Sequence, residues 1–260
     1  MKKLTLTIII PAYNEENYIG VCLESISRQT VKPDEVILVD NNSTDATVKI
    51  ARSYSFVKIV HEPHQGRYAA RQKGFEAASS VLIGQIDADT RLWPNWTQVV
   101  KDYFAVHPEV DAISGTGWFY NFRFKKLGSL LHAFIYYHLQ AVITGGMTLW
   151  GGNMVIRRQP ALRAWSQTQD YPDTDEDICL SIILKRLGYK IKYARRMLVG
   201  VSLLRDNFDL KHTKEYLDKW DRDYAVYGLR RQALMIRLLK PILLVMASVF
   251  FGFRAWRQKH

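Results

Sequence analysis

The chain has 260 residues, enough for one large α/β domain or two small ones around a full hydrophobic core. Its 48% apolar and 23% charged residues are those of an ordinary globular protein and not of a disordered one. The formal net charge of +11 is not ordinary, and it calls for an anionic partner: nucleic acid, a lipid surface or a phosphorylated substrate.

Leu4 to Ile10 is rich in β-branched residues and predicts a buried strand that ends on Pro11, Ala12, Tyr13, Asn14 and Glu15. Ile19, Cys22, Leu23 and Ile26 follow at helical spacing. Glu35 to Val39 predicts a second strand, ending on Asp40 and a polar run through Asp45 that can cap a helix. Val57 to Val60 predicts a third strand, and a helix over Tyr68 to Ala78 follows. Val81 to Ile86 predicts a fourth strand, which runs directly into Asp87 and Asp89. Strands alternating with helices at this pace predict right-handed crossovers and a parallel sheet. In such sheets ligands bind outside the carboxyl ends of the strands, where acids and amides recur in this sequence.

Beyond residue 90 the pattern changes. Asp111 to Thr116 predicts a strand, Gly117 to Phe124 an irregular aromatic stretch and Leu127 to Ile143 a helix. Met154 to Ile156 predicts a short strand after Gly151 and Gly152. The acids Asp173, Asp175, Glu176 and Asp177 lead into a helix closed by Gly188. Lys190 to Tyr193 and Met197 to Ser202 predict two edge strands.

The positive excess is a property of the tail. After Asp223 there is no acidic residue, but seven basic ones remain: Arg230, Arg231, Arg237, Lys240, Arg254, Arg257 and Lys259. Ile242 to Phe253 is too short an apolar run to cross a bilayer, which takes about 20 residues. Basic flanks and Trp256 suit a helix lying in a membrane interface, and the aromatic, basic stretch Phe122 to Lys126 points the same way. The alternatives are a helix docked on the chain's own core or on a partner helix, or a true span if the helix begins near Leu234. Basic residues interleaved with apolar ones suit lipid better than nucleic acid. The isolated Cys22 and Cys179 predict buried thiols in a reducing compartment, and no signal-peptide pattern is seen.

Each polar cluster has a chemical and a structural interpretation. Tyr13 and Glu15 can read a base, and Asp40 can accept from a base N–H or a ribose hydroxyl. Arg67 and Arg71 can meet a phosphate or steer a carboxylate. Asp87 and Asp89 are hard oxygen ligands suited to Mg²⁺ or Mn²⁺. Alternatively, Asn14 and Asp45 cap helices, Asp87 and Asp89 do the same for the helix begun at Pro94, and Arg67 forms a surface ion pair. Asp175, Glu176 and Asp177 either stabilise a helix N-terminus or supply a general base whose pKa is raised by crowding.

Six stretches in order resemble glycosyltransferase family 2, inverting enzymes of the GT-A fold. They are residues 10–15, 39–45, 66–71, 87–90 and 151–158, then Glu176-Asp177 with Leu180, Arg186 and Gly188. The resemblance covers residues 4 to about 200. It implies a Rossmann-like, mainly parallel central sheet flanked by helices, with a basic, hydrophobic C-terminal helical tail. The expected division is a GT-A domain over 1–205, with a nucleotide-sugar half over about 1–116 and an acceptor half over about 117–205. A helical, membrane-associating segment over 206–260 would complete it. By the resemblance, the loop from Pro11, with Tyr13 and Glu15, and Asp40 would hold the nucleoside, with Arg71 near its diphosphate. Asp89 would be the main ligand of a divalent cation (Mg²⁺ or Mn²⁺), with Asp87 nearer the ribose or the metal. Asp177 would deprotonate the acceptor.

The implied function is metal-dependent, inverting transfer of one sugar from a nucleoside-diphosphate sugar, UDP favoured. The acceptor would be a hydroxyl or phosphate of a lipid-linked or membrane-proximal molecule. The expected location is cytoplasmic, peripheral on the inner membrane face against an anionic surface, with no nucleic acid as partner. The Gln-x-x-Arg-Trp motif of processive synthases is missing, which favours one sugar per encounter, and His212 is a weak candidate for a third metal ligand. A sugar-nucleotide pyrophosphorylase would want a Gly-rich loop after the first strand, where Tyr13 to Glu16 stands. A non-catalytic membrane-associated adaptor would leave the order of the carboxylates unexplained.

Overall fold

The computed structural model describes residues 4–119, 130, 133–201 and 210–257, and its centre is an eight-stranded mixed sheet. In chain order the first elements are β1 (Leu6–Ala12), α1 (Ile19–Ser27), β2 (Glu35–Asp40), α2 (Thr47–Arg52) and β3 (Val57–His61). Then come α3 (Arg67–Ala77), β4 (Leu82–Ile86), the two-residue β5 (Arg91–Leu92), α4 (Trp96–Val106) and β6 (Ala112–Phe119). A π-helical turn (Phe134–Leu139) leads into α5 (Gln140–Thr144), followed by β7 (Asn153–Arg157), α6 (Arg158–Trp165) and α7 (Glu176–Arg186). The chain continues through β8 (Ile191–Val201), α8 (Leu210–Val226) and α9 (Arg230–Arg257).

The spatial order is β3-β2-β1-β4-β7-β6-β8-β5. β3, β2, β1 and β4 run parallel, as their alternation with helices requires, and β7 runs antiparallel between β4 and β6. Successive β1 residues serve opposite faces of the sheet. Ile8 and Ile10 pack with α1 and α4 residues such as Leu23, Trp96 and Phe104, whereas Ile9 packs with Phe75, Trp165 and Leu180 of α3, α6 and α7. Burial on both faces explains the largely apolar runs of β1, β2 and β4. α7 is itself buried on two sides. Leu180, Ile183 and Leu184 meet the sheet-side core, while Ile178 and Ile182 join a third cluster with Tyr137, Trp220, Tyr224, Ile236 and Leu243.

Two local expectations are corrected. The stretch expected to form two edge strands, Lys190 to Tyr193 and Met197 to Ser202, is the single strand β8, lying between β6 and β5. Its pairing jumps from Ser114↔Tyr193 to Thr116↔Leu198, so the intervening residues bulge out of register and break the periodicity. Gly115 stands opposite that bulge, where a Cβ would lie 2.1 Å from the Met197 carbonyl oxygen. The second correction concerns the irregular stretch expected from Gly117, which is strand as far as Phe119. The basic aromatic stretch Phe122 to Lys126, and the start of the helix expected over Leu127 to Ile143, lie outside the described residues. That helix's described end contains the π-helical turn before α5.

The tail is helical, as expected. The inner side of α9, with Ala233, Ile236 and Leu243, closes the third cluster, and Arg237 and Lys240 pair with Asp221 and Asp218 of α8. Leu234, Leu238, Ile242 and Val245 are more than half exposed along the opposite side. Among the described residues no helix is long and apolar enough to cross a membrane.

Candidate active site

Register places the chemistry-bearing loops side by side. Ala12 at the end of β1 pairs with Asp40 at the end of β2, Asp40 pairs with His61 at the end of β3, and Ile86 at the end of β4 pairs with Asn153. The loops beyond those residues enclose a cleft of about 450 Å³. Its lining includes Pro11, Tyr13, Glu15, Arg71, Asp87 and Asp89, all expected from the sequence, together with Asn41, Gln65, Gly66 and Arg67. Tyr13 is half exposed over the cleft, whereas Glu15 is buried.

Each loop is held by its own polar atoms. Asn14 and Asn42 adopt positive φ (54° and 65°), a conformation that asparagine tolerates better than most residues. Asn14 Oδ1 accepts the Thr44 N–H at 2.8 Å, and Ser43 Oγ accepts the Asn14 N–H at 3.1 Å, which ties the first loop to the second. Asp45 accepts the N–H groups of Thr47 and Glu16, so the structural interpretation holds for this acid. Asn41 Nδ2 donates to the carbonyls of Glu62 and His64, and its Oδ1 accepts the Gly66 N–H, fixing the third loop. Asp40 lies beneath this lattice, with Oδ1 accepting the Ser43 N–H at 3.1 Å and Oδ2 3.4 Å from His61 Nδ1.

The far wall of the cleft is built on Arg71. This guanidinium is 8% exposed and lies 3.2 Å from Glu176 Oε2 and 3.7 Å from Asp87 Oδ1, joining the end of β4 to the start of α7. Arg67, more exposed, lies 3.3 Å from Glu176 and 3.8 Å from Asp175, so its ion pairs reach the acidic run of α7. Gly151 and Gly152 fill the remaining gap. A Cβ on Gly151 would lie 2.7 Å from Arg71 Nη2, and one on Gly152 would lie 2.8 Å from the Trp150 ring and 3.0 Å from Asp87 Oδ2. Glycine lets the backbone approach both charged groups.

That same backbone holds Asp177. Its Oδ2 accepts the Gly151 N–H at 2.6 Å and its Oδ1 accepts the Ile178 N–H at 2.8 Å, so the carboxyl is fixed behind the wall that Arg71 lines. Burial pushes the Asp177 pKa up, against the opposing pull of Arg71 and the Gly151 hydrogen bond and with the help of Asp175 and Glu176. The result is about 7, with burial the larger cause and crowding by the neighbouring acids the smaller one. A carboxylate so tuned is matched to proton transfer near neutral pH.

Asp87 and Asp89 bring two carboxyl groups to the cleft, and Asp87 pairs with Arg71. Among the described residues no group of three potential ligands comes together, and the side chain of His212 is outside them. Two hard oxygen ligands at an open cleft fit a Mg²⁺ or Mn²⁺ ion that takes its remaining ligands from water and a diphosphate. Two contributors gave little signal in the sequence. His61 lies outside every stretch that carries the resemblance, and Asp223 of α8 accepts the Asp175 N–H at 2.8 Å across 48 residues of chain.

A family model described as glycosyl transferase family 2 matches residues 7–164, more than half of the chain. Among curated proteins, the putative glycosyltransferase EpsH of Bacillus subtilis is 36% identical over 102 residues, 38% of this chain and 30% of its own length. The lipopolysaccharide core biosynthesis glycosyltransferase LpsC of Rhizobium meliloti is 32% identical over 120 residues, 45% of this chain and 41% of its own. The matches thus span about a third of the length of these relatives. Among solved structures, the mannosyltransferase PcManGT of Pyrobaculum calidifontis, in complex with GDP-Man and Mn²⁺, superimposes with a TM-score of 0.69. It is 18% identical, and the match covers 96% of this chain and 74% of that one. TarS of S. aureus in complex with UDP-GlcNAc gives 0.61 at 16% identity, covering 85% and 66%. These likenesses show that the chain has the GT-A fold.

Replacing Arg71 with Ala is expected to destabilise the protein by about 3 kcal/mol or more, since the buried Glu176 loses its buried partner and keeps only the more exposed Arg67. The same change at the exposed Arg67 is expected to matter by less than about 1 kcal/mol. Chemical denaturation of the two variants checks the contrast.

Proposed function

The chain belongs to glycosyltransferase family 2, and from that premise we propose that it is a metal-dependent, inverting glycosyltransferase. It moves one sugar from a nucleoside-diphosphate sugar to a hydroxyl or phosphate of a lipid-linked acceptor. The observation that carries this reading is the placement of Asp177: buried, and fixed by two backbone N–H groups, one of them from Gly151, which packs against the cleft residue Arg71. The acceptor hydroxyl gives its proton to Asp177, and its oxygen attacks the anomeric carbon opposite the leaving nucleoside diphosphate. The bond to the diphosphate breaks with its electron pair, and the anomeric configuration inverts. Each Asp177 oxygen accepts one backbone hydrogen bond and keeps a lone pair for the incoming proton. A divalent cation held by Asp89 and Asp87 would offset the charge growing on the leaving group.

Tyr13, Glu15 and Asp40 recognise the nucleoside. UDP is favoured over GDP because the first two loops offer a carboxylate and a ring; both UDP-sugar and GDP-sugar complexes occur among the structural neighbours. A lipid-linked acceptor is favoured by α9. Its exposed Leu234, Leu238, Ile242 and Val245 follow helical spacing opposite the docked face, next to Arg230 and Arg231. This supports a peripheral site on an anionic membrane face.

Two outcomes check the reading. Below about pH 7 the rate of transfer should fall about tenfold per pH unit, because the base must be ionised and its pKa is about 7. Asp177→Asn should lose about 10²-fold or more at every pH while still binding nucleotide; a variant retaining near-normal transfer sinks the assignment. Separately, Leu234→Gln, Leu238→Gln and Ile242→Gln together should weaken binding to phosphatidylglycerol vesicles by about tenfold or more without disturbing the docked face of α9. Unchanged vesicle binding removes the membrane part of the proposal.

A further inference from the structure

Asp223 is fully buried on α8, a helix that comes after every stretch carrying the family resemblance. Its Oδ1 accepts the backbone N–H of Asp175 at 2.8 Å. Asp175 is the residue immediately before α7, where the backbone passes from extended into helical conformation, and its own side chain does not cap that end. Two residues later stands Asp177. The backbone at the entry to this helix is thus tied to α8 through Asp223. The remaining oxygen of Asp223 and one of Asp175 are buried without a hydrogen-bond partner. A polar atom left unsatisfied in so dry a place is unfavourable unless the structure uses it.

We propose that Asp223 is a positioning residue for the transfer reaction: by receiving the Asp175 N–H it fixes the start of α7, and with it the Asp177 carboxyl, against the Gly151 wall of the donor cleft. The inference rests on the reading of Asp177 as the base. It makes α8 part of the working centre and not only a support for the tail. The groups around Asp223 are Asp175 ahead of α7, Glu176, Asp177 and Cys179 on α7 and Tyr224 on α8, with Lys219, Arg67 and Arg71 acting on Asp175. Burial first, and then Asp175, push the Asp223 carboxyl up to about 9, so near neutral pH it is a protonated group that still accepts through Oδ1. Asparagine, neutral and of the same shape, is therefore the conservative replacement, whereas alanine removes the acceptor.

The test compares wild type, Asp223→Asn, Asp223→Ala and Asp177→Asn. Amide hydrogen exchange is read over Asp175 to Cys179, and calorimetry measures UDP and GDP binding with Mn²⁺. The release of nucleoside diphosphate from UDP-glucose, UDP-N-acetylglucosamine and GDP-mannose, with water as acceptor, gives kcat and KM. Asp223→Ala is expected to raise exchange at the start of α7 about tenfold and to lower kcat about tenfold, with nucleotide affinity and donor KM within about threefold of wild type. Asp223→Asn is expected to restore both. If Asp223→Ala does not fold, Asp223→Leu, which also lacks the acceptor, takes its place.

Unchanged exchange in the alanine or leucine variant overturns the proposal, as does a loss in Asp223→Asn as large as that in Asp223→Ala. The exchange readout decides even where hydrolysis by wild type is too slow to measure. Full activity in Asp177→Asn would instead overturn the reading of the base. An inactive Asp177→Asn beside a normal Asp223→Ala would leave the base in place and remove only Asp223.

Discussion

The structure depends on one buried cation. Arg71 enters from α3, and its guanidinium meets Glu176 at the start of α7 and Asp87 at the end of β4, with Gly151 packed against its face. Without it the buried Glu176 would lose its closest cationic partner. With it, the β4 end, the Gly151-Gly152 turn and the acidic start of α7 form one wall. The donor side of the sheet and the acidic side of α7 meet across the thickness of a single guanidinium. An arginine suits this place because its charge persists when buried and its planar fork reaches two partners at once.

That arrangement explains how neighbouring acids can differ. Asp87 is partly exposed in the cleft and pairs with Arg71. Asp177 lies deeper, and there burial outweighs both the guanidinium and the two backbone N–H groups, leaving its pKa near 7. Asp223 is held higher still, by burial first and then by Asp175. At both acids burial is the larger cause and the neighbouring acids add to it.

Much of this was legible in the chain. Apolar runs ending in Asp40 and in Asp87 to Asp89 place their charged residues at the strand ends for a simple reason: a strand buried on both faces admits a polar residue only where it finds a hydrogen-bond partner, as Thr7 and Gln85 do, and leaves its charges for the loops beyond the core. The β8 strand was misread as two because a bulge at residues 194–197 interrupts its pairing and its periodicity. Asp223 was illegible as a site residue because it lies on an ordinary amphipathic helix and its partner is a backbone N–H, which leaves no trace in sequence. The tail's charge was legible, but not that Arg237 and Lys240 turn inward to Asp221 and Asp218.

The account stands on a cleft that binds a nucleoside diphosphate through a cation at Asp89 and Asp87. Calorimetric titration of UDP and of GDP, each with Mn²⁺ and with EDTA, on wild type and Asp89→Ala tests it most directly. The account predicts binding of one nucleotide that requires the metal and weakens by about tenfold or more in the variant. Binding of neither nucleotide in any condition would contradict it, and would leave the carboxylates as structural groups of a membrane-associated adaptor.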